Sequence, residues 1–218
     1  MREDALVISA IIEKRKALSP QRALLVGISG IDGSGKGYIT ACLDERLRQL
    51  GQNVAAICAD DWLNLPEICI NRDNPAEHFY KHALRLEEMF ARLILPLQQN
   101  GSVDLVANCG DAKATVHRER RYSFGNIDIV LLEGIFIFKR AYCERFDLKV
   151  WIDCSFETAL GRAIARGQEG LPSAETRHAF ETIYFPAQRI HLARDNPRAL
   201  ADIVFENDGM LQPMIDEQ

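Results

Sequence analysis

Leu24-Leu25-Val26-Gly27-Ile28-Ser29-Gly30-Ile31-Asp32-Gly33-Ser34-Gly35-Lys36-Gly37 is a nearly unbroken apolar run that empties into a glycine-rich turn ending on a lysine. Such an apolar run reads as a parallel β-strand buried on both faces. Gly30 to Lys36 fits the spacing G-x-x-x-x-G-K, in which glycines let backbone N–H groups face a phosphate chain. The lysine ammonium then reaches the β- and γ-phosphates. Gly30, Asp32, Gly33, Ser34, Gly35, Lys36 and Gly37 are the candidate nucleotide-binding residues, and ATP is the expected cofactor. The plain alternative is an ordinary tight turn; the strand before and the helix after favour the cradle. After the lysine, where a Ser or Thr hydroxyl ordinarily ligates Mg²⁺, stands Gly37.

Outward from the loop, Ile39, Cys42, Leu43, Leu47 and Leu50 fall on one helix face before Gly51. Val54 to Ala59 reads as a second buried strand, Ile127 to Leu132 as a third, Leu148 to Ile152 as a fourth and Asp202 to Glu206 as a fifth. Strands alternating with helical stretches imply an α/β fold with a parallel sheet, whose ligands bind at the carboxyl ends of the strands. Three strands deliver an acid to that edge, at Asp60, Glu133 and Asp153. Residues 1–20 contain an N-terminal helix, and Pro75 to Leu95 reads as one helix closed by Pro96. Within 101–122 a small hairpin pairs Val103 to Ala107 with Ala114 to His117. A helix over Phe156 to Arg166 leads to a lid at 166–178, and a helix over Glu175 to Ala193 carries Pro186 as a kink.

With 218 residues the chain fits one domain, 1–218. Its net charge of -5 argues against a nucleic-acid-binding surface and for a small-molecule substrate. Six cysteines without a C-x-x-C pair read as free thiols of a reducing cytosol, not as a zinc site or a disulfide framework. Neither a leader nor a membrane span is expected, which places the protein in the cytoplasm.

Lys36, Asp60 and Glu133 form the constellation with chemistry in it. Phosphoryl transfer needs a phosphate clamp, a metal site and a group that orients or deprotonates the acceptor hydroxyl. Asp60 and Asp61 also suit a helix cap or a solvated turn. Glu133 closes an apolar strand, where burial is costly unless it pairs with a cation or holds metal-bound water. His78 and His82 share a helix face but lack the rest of a zinc motif. The cluster Arg118, Arg120, Arg121 is either a solvated face or a dock for an anionic acceptor.

Gly30 to Lys36, then Ala59-Asp60-Asp61-Trp62, then Leu131-Leu132-Glu133-Gly134-Ile135-Phe136 resemble, in order and spacing, the motifs of the uridine kinase, phosphoribulokinase and bacterial-type pantothenate kinase group. The similarity extends from Leu24 to Asn207: Trp151-Ile152-Asp153 resembles the strand before the lid, and Ala201 to Asn207 resembles the last strand. The resemblance implies a P-loop NTPase three-layer sandwich, with a five-stranded parallel sheet, helices on both faces and a hairpin and lid inserted. It implies ATP-dependent transfer of a phosphoryl group to a hydroxyl of a small metabolite. A nucleoside such as uridine is the leading acceptor, with phosphorylated sugars and pantothenate-like alcohols behind it. By the same resemblance Asp60 is the base, Glu133 lies near Mg²⁺, and Arg162 and Arg166 are the lid arginines that cover the transfer. The chain departs from the pattern at Gly37, at Asp61 where Ser or Gly is usual, at Gly167 where Asp is usual, and before His117, where a Tyr-Asp-Phe motif is missing. With no loop hydroxyl, Mg²⁺ is expected on the phosphates, water, Asp60 and Glu133. A nucleotide-binding regulatory protein, in which Gly37 has removed catalysis, is the alternative. The oligomeric state stays open.

Overall fold

The computed structural model describes residues 2–110, 116–167 and 172–209. Seven strands run in chain order: β1 (Leu24–Gly30), β2 (Val54–Cys58), β3 (Val103–Cys109), β4 (Arg118–Phe124), β5 (Ile129–Glu133), β6 (Leu148–Asp153) and β7 (Ile203–Glu206). Five of them form one sheet in the order β2-β5-β1-β6-β7, and every neighbouring pair is parallel. β1 lies at its centre, which accounts for its apolar run: both faces are covered. Leu24, Val26 and Ile28 point to a layer supplied by Val7 and Ile11 of α1 (Arg2–Lys16) and by Ile39, Leu43 and Leu47 of α2 (Lys36–Gln49). Leu25, with Ala55, Ile57, Val130 and Leu132 of the neighbouring strands, points to the opposite layer of helices between residues 75 and 195. This is the three-layer P-loop NTPase sandwich that the motifs imply. Leu50 departs from the expected face of α2: it caps the helix and is exposed.

The expected single helix over Pro75 to Leu95 is two. Pro75–His82 ends where Leu84 bridges to Leu63, and a second helical stretch spans 86–100. Pro96 does not close it. A π-helical turn at Phe90–Ile94, in which Leu95 N–H donates to the Phe90 carbonyl, precedes the proline and lets the helix continue to Asn100. Pro186 is accommodated in the same way, after a π-turn at Phe180–Tyr184. A wide turn relaxes the demand for the N–H that proline lacks.

The hairpin pairs β3 with β4 in antiparallel register from Val103↔Phe124 to Cys109↔Arg118. Its described second strand begins at Arg118, after Val116 and His117 of the expected one, whose Ala114 and Thr115 lie outside the described residues. The reason is Tyr122, which this register buries opposite Leu105 while Arg118, Arg120 and Arg121 remain in solvent. Of the expected lid, residues 168–171 lie outside the described residues. Among the described residues no helix is long and apolar enough to cross a membrane.

Candidate active site

The exits of β1, β2 and β5 converge on one edge. Ile28 pairs with Glu133, and Cys58 pairs with Glu133 from the other side, so the register sets the end of β5 between the phosphate loop and the end of β2. Gly134 permits the close approach: a Cβ there would meet the Ala59 Cβ at 2.5 Å. Ser29 Oγ donates to the Gly134 carbonyl at 2.9 Å and fixes that turn.

The loop has the shape of an anion cradle. Gly33 and Gly35 take φ of +79° and +91°, which turns successive N–H groups inward ahead of α2, whose positive end opens at Lys36. Gly33 also lies against the Ala159 carbonyl, which a Cβ would meet at 2.5 Å. The Ser34 hydroxyl is buried without a hydrogen-bond partner among the described residues, as a group awaiting a phosphate oxygen would be. Lys36 is buried, with its Nζ 3.5 Å from the Ile31 carbonyl. Burial pulls its ammonium down, but Asp32, Glu133, Asp60 and then Cys58 outweigh that and hold it above the ordinary lysine range. Lys36 is thus a fixed cation among three carboxylates.

Asp60 ends β2 on a single 3-10 turn, Ala59–Asp61. Burial pushes its carboxyl up to about 7; Lys36 pulls it down, and Glu133, Asp32 and Asp61 push it further up. A carboxylate balanced near neutrality suits a general base. Asp60 also lines a cleft walled by Leu63, Asn64, Pro66, Cys69, Ile70, Phe79, Ile135 and Tyr184, with Asp32 beside it. Asp32, read from the sequence only as part of the loop, therefore faces both ways.

Gly37 brings no oxygen to this edge: a Cβ there would have the Glu133 Oε1 as its nearest neighbour, at 3.8 Å. Thr40 does not replace the hydroxyl, because its Oγ1 donates to the Lys36 carbonyl at 2.8 Å. Cys58 is a member of the site that sequence reading passed over. Burial, then the charges of Asp60 and Glu133, then a hydrogen bond to Glu133 hold its thiol protonated well above the usual range. Its signal in the sequence is its place at the end of the Val54 to Ala59 run, which the register sets opposite Glu133.

Other charged residues singled out in the sequence take other positions. Arg162, expected over the phosphates, donates instead to the Ser34 carbonyl at 3.2 Å and the Asn207 carbonyl at 2.7 Å, so it braces the loop from behind. Arg166 is exposed in the last turn of the same helix, apart from this brace. Asp153 accepts from Trp151 Nε1 and Arg198 Nε, both at 3.0 Å, and is no part of the site. Asp61 ties down the hairpin by pairing with Arg120 and accepting from Tyr122 Oη at 3.2 Å. Arg121 of β4 is likewise committed, forking onto Asp104 at 2.8 and 2.6 Å, while Arg118 is exposed. His78 Nε2 lies 2.8 Å from the Ile68 carbonyl, and among the described residues no cluster of three or more metal-ligating side chains is present.

No protein-family model matches the chain, and no curated protein matches it by sequence. Solved structures do. A possible uridine kinase from Bacillus stearothermophilus is 21% identical, with a TM-score of 0.70 over 94% of this chain and 97% of that one. A candidate fructose transport system kinase from Silicibacter sp. TM1040 is 18% identical, with a TM-score of 0.73 over 93% and 98%. D-glycerate 3-kinase from Cryptococcus neoformans is 15% identical, with a TM-score of 0.57 over 85% and 86%. At these identities the likeness is one of fold, and it is the fold of the kinase group that the motifs resemble.

Proposed function

We propose that the protein moves the γ-phosphoryl group of ATP onto a hydroxyl of a small metabolite, with a nucleoside as the leading acceptor. The observation that carries this reading is the position of Asp60: one carboxylate borders the Lys36 ammonium and also lines the cleft. A group so placed can hold an acceptor hydroxyl in line with a bound γ-phosphate and take its proton. The loop N–H groups and Lys36 would carry the β- and γ-phosphates, and electrostatic positioning would do most of the catalysis. Asp60 and Glu133 would hold Mg²⁺ together with phosphate oxygens and water, and the bound ion would neutralise charge on the phosphates. The structures of like fold described as kinases for uridine, fructose transport and glycerate all accord with transfer to an alcohol.

Gly37 favours a second reading, a nucleotide-binding regulator. Incubation with labelled ATP, Mg²⁺ and a panel of nucleosides, sugars, sugar phosphates and pantothenate separates the two. Acceptor-dependent transfer that Asp60→Ala abolishes supports the kinase. Tight ATP binding with no transfer to any acceptor would leave the regulator.

A further inference from the structure

We propose that Asp32, a carboxylate of the phosphate loop, reads the acceptor: it accepts a hydrogen bond from a second hydroxyl of an uncharged polyol whose first hydroxyl lies on Asp60. The inference rests on the kinase reading and names the acceptor class for it.

Asp32 and Asp60 line the same cleft, yet they leave the chain from different strand ends, β1 and β2. Among the described residues no hydrogen-bond donor is directed at the Asp32 carboxylate; its closest tie is the charge it shares with Lys36. Its backbone N–H can face the phosphates with the rest of the loop, but its side chain is a hydrogen-bond acceptor and is left for a different ligand group. Asn64, another polar lining group, has already committed an N–H to the His82 carbonyl at 2.8 Å, and the Cys69 thiol donates to the Leu65 carbonyl at 3.1 Å. The polar end of the cleft is therefore rich in acceptors, and its complement is a ligand with more than one O–H donor.

Lys36 is given over to the phosphates and no Lys or Arg is among the described residues lining the cleft, so an acceptor phosphate or carboxylate finds no cation there. Arg120 and Arg121, cations of the hairpin, are paired with Asp61 and Asp104. The far wall is apolar, and Phe79 and Tyr184 pack there with ring centroids 5.1 Å apart. An acceptor with two hydroxyls at one end and a flat or apolar body fits this division.

The test compares uridine, 2′,3′-dideoxyuridine, fructose, D-glycerate and ethanolamine as acceptors for the wild type and Asp32→Asn. The inference expects Asp32→Asn to raise the KM for uridine or fructose roughly tenfold or more, the loss of one hydrogen bond to a charged group. The dideoxy compound should lose as much in the wild type and nothing further in the variant. Affinity for ATP, by calorimetry, is followed alongside, because Asp32 also borders Lys36, and the inference expects it to fall by less than the affinity for the acceptor. Calorimetry of the same acceptors into protein loaded with a non-hydrolysable ATP analogue repeats the comparison without turnover. Equal losses of ATP and acceptor affinity in Asp32→Asn, or preference for D-glycerate or ethanolamine, would overturn the inference while leaving the kinase reading intact. Binding of acceptor with no transfer would count against the kinase reading alone.

Discussion

Asn207 Nδ2 donates to the Ser34 carbonyl at 2.7 Å, so the residue that follows the last strand holds the phosphate loop across 173 positions of sequence. Arg162 Nη1 reaches the same oxygen at 3.2 Å. The loop's curvature is thereby set by two donors on its outer side, while its inner N–H groups remain for a ligand. Asn207→Ala is expected to weaken ATP binding by about tenfold, the worth of one buried hydrogen bond, with the acceptor KM little changed. Titration calorimetry with ATP checks the first part and steady-state kinetics the second.

Asp60→Asn separates chemistry from stability. The Asp60 carboxyl is raised from 3.8 to about 7, so between those values the folded protein holds a proton that the unfolded chain has released. Stability therefore falls as pH rises through that window and stays at its lowest above it. Asn removes the penalty: at pH 8 the variant should be more stable by on the order of 1 kcal/mol, seen as a raised Tm, while transfer drops by about two to four orders of magnitude. In the wild type, kcat/KM should climb with pH through about 7 and then level, because only the ionised form takes the acceptor proton.

Gly37→Ser has room. A Cβ there meets only Glu133 Oε1, at 3.8 Å, so the hydroxyl enters beside the expected Mg²⁺ without crowding. The Mg²⁺ concentration needed for half-maximal nucleotide binding should fall by roughly threefold to tenfold, as expected for one added oxygen ligand. A Mg²⁺ titration of fluorescent-nucleotide binding provides the readout, and an unchanged midpoint would place the ion away from residue 37.

Asp61→Ala should act on the hairpin and spare the phosphates. It leaves the buried Tyr122 hydroxyl to the Cys109 thiol, 3.3 Å away, and unpairs Arg120 from its carboxylate, for a stability loss of about 1 kcal/mol. Faster proteolysis at the β3–β4 hairpin, with ATP affinity kept, is the expected result. Tyr122→Phe should reproduce part of the loss.

The sheet was legible because its strands are buried on both faces and read as plain apolar runs: Leu24 to Ser29 and Ile127 to Leu132 sit where their composition puts them. Lys36, Asp60 and Glu133 were legible for a related reason, since a charged residue closing such a run stands at a sheet edge. What the sequence hid depends on pairing across distance. Nothing near Arg162 announces that its guanidinium faces Ser34 and Asn207 instead of solvent, and nothing near Asp61 announces Tyr122. Pro96 was misread because the usual rule treats a proline as a stop, and a wide turn upstream suspends the rule. The double aspect of Asp32 emerges only when the cleft beyond Asp60 is closed by Phe79 and Tyr184, contributed by helices far along the chain.

The wide turn before Pro186 has an effect on that cleft. Thr176 and Phe180 are buried one α-turn apart, and a regular helix would sink residue 184 next. The additional residue in the turn advances the helical phase, so Phe185 goes into the core in its place and Tyr184 stands at the cleft wall, packed on Phe79. The same backbone irregularity that accommodates an awkward proline thus decides which aromatic ring stands at the cleft, and a single-residue deletion in that turn would move Tyr184 off its wall.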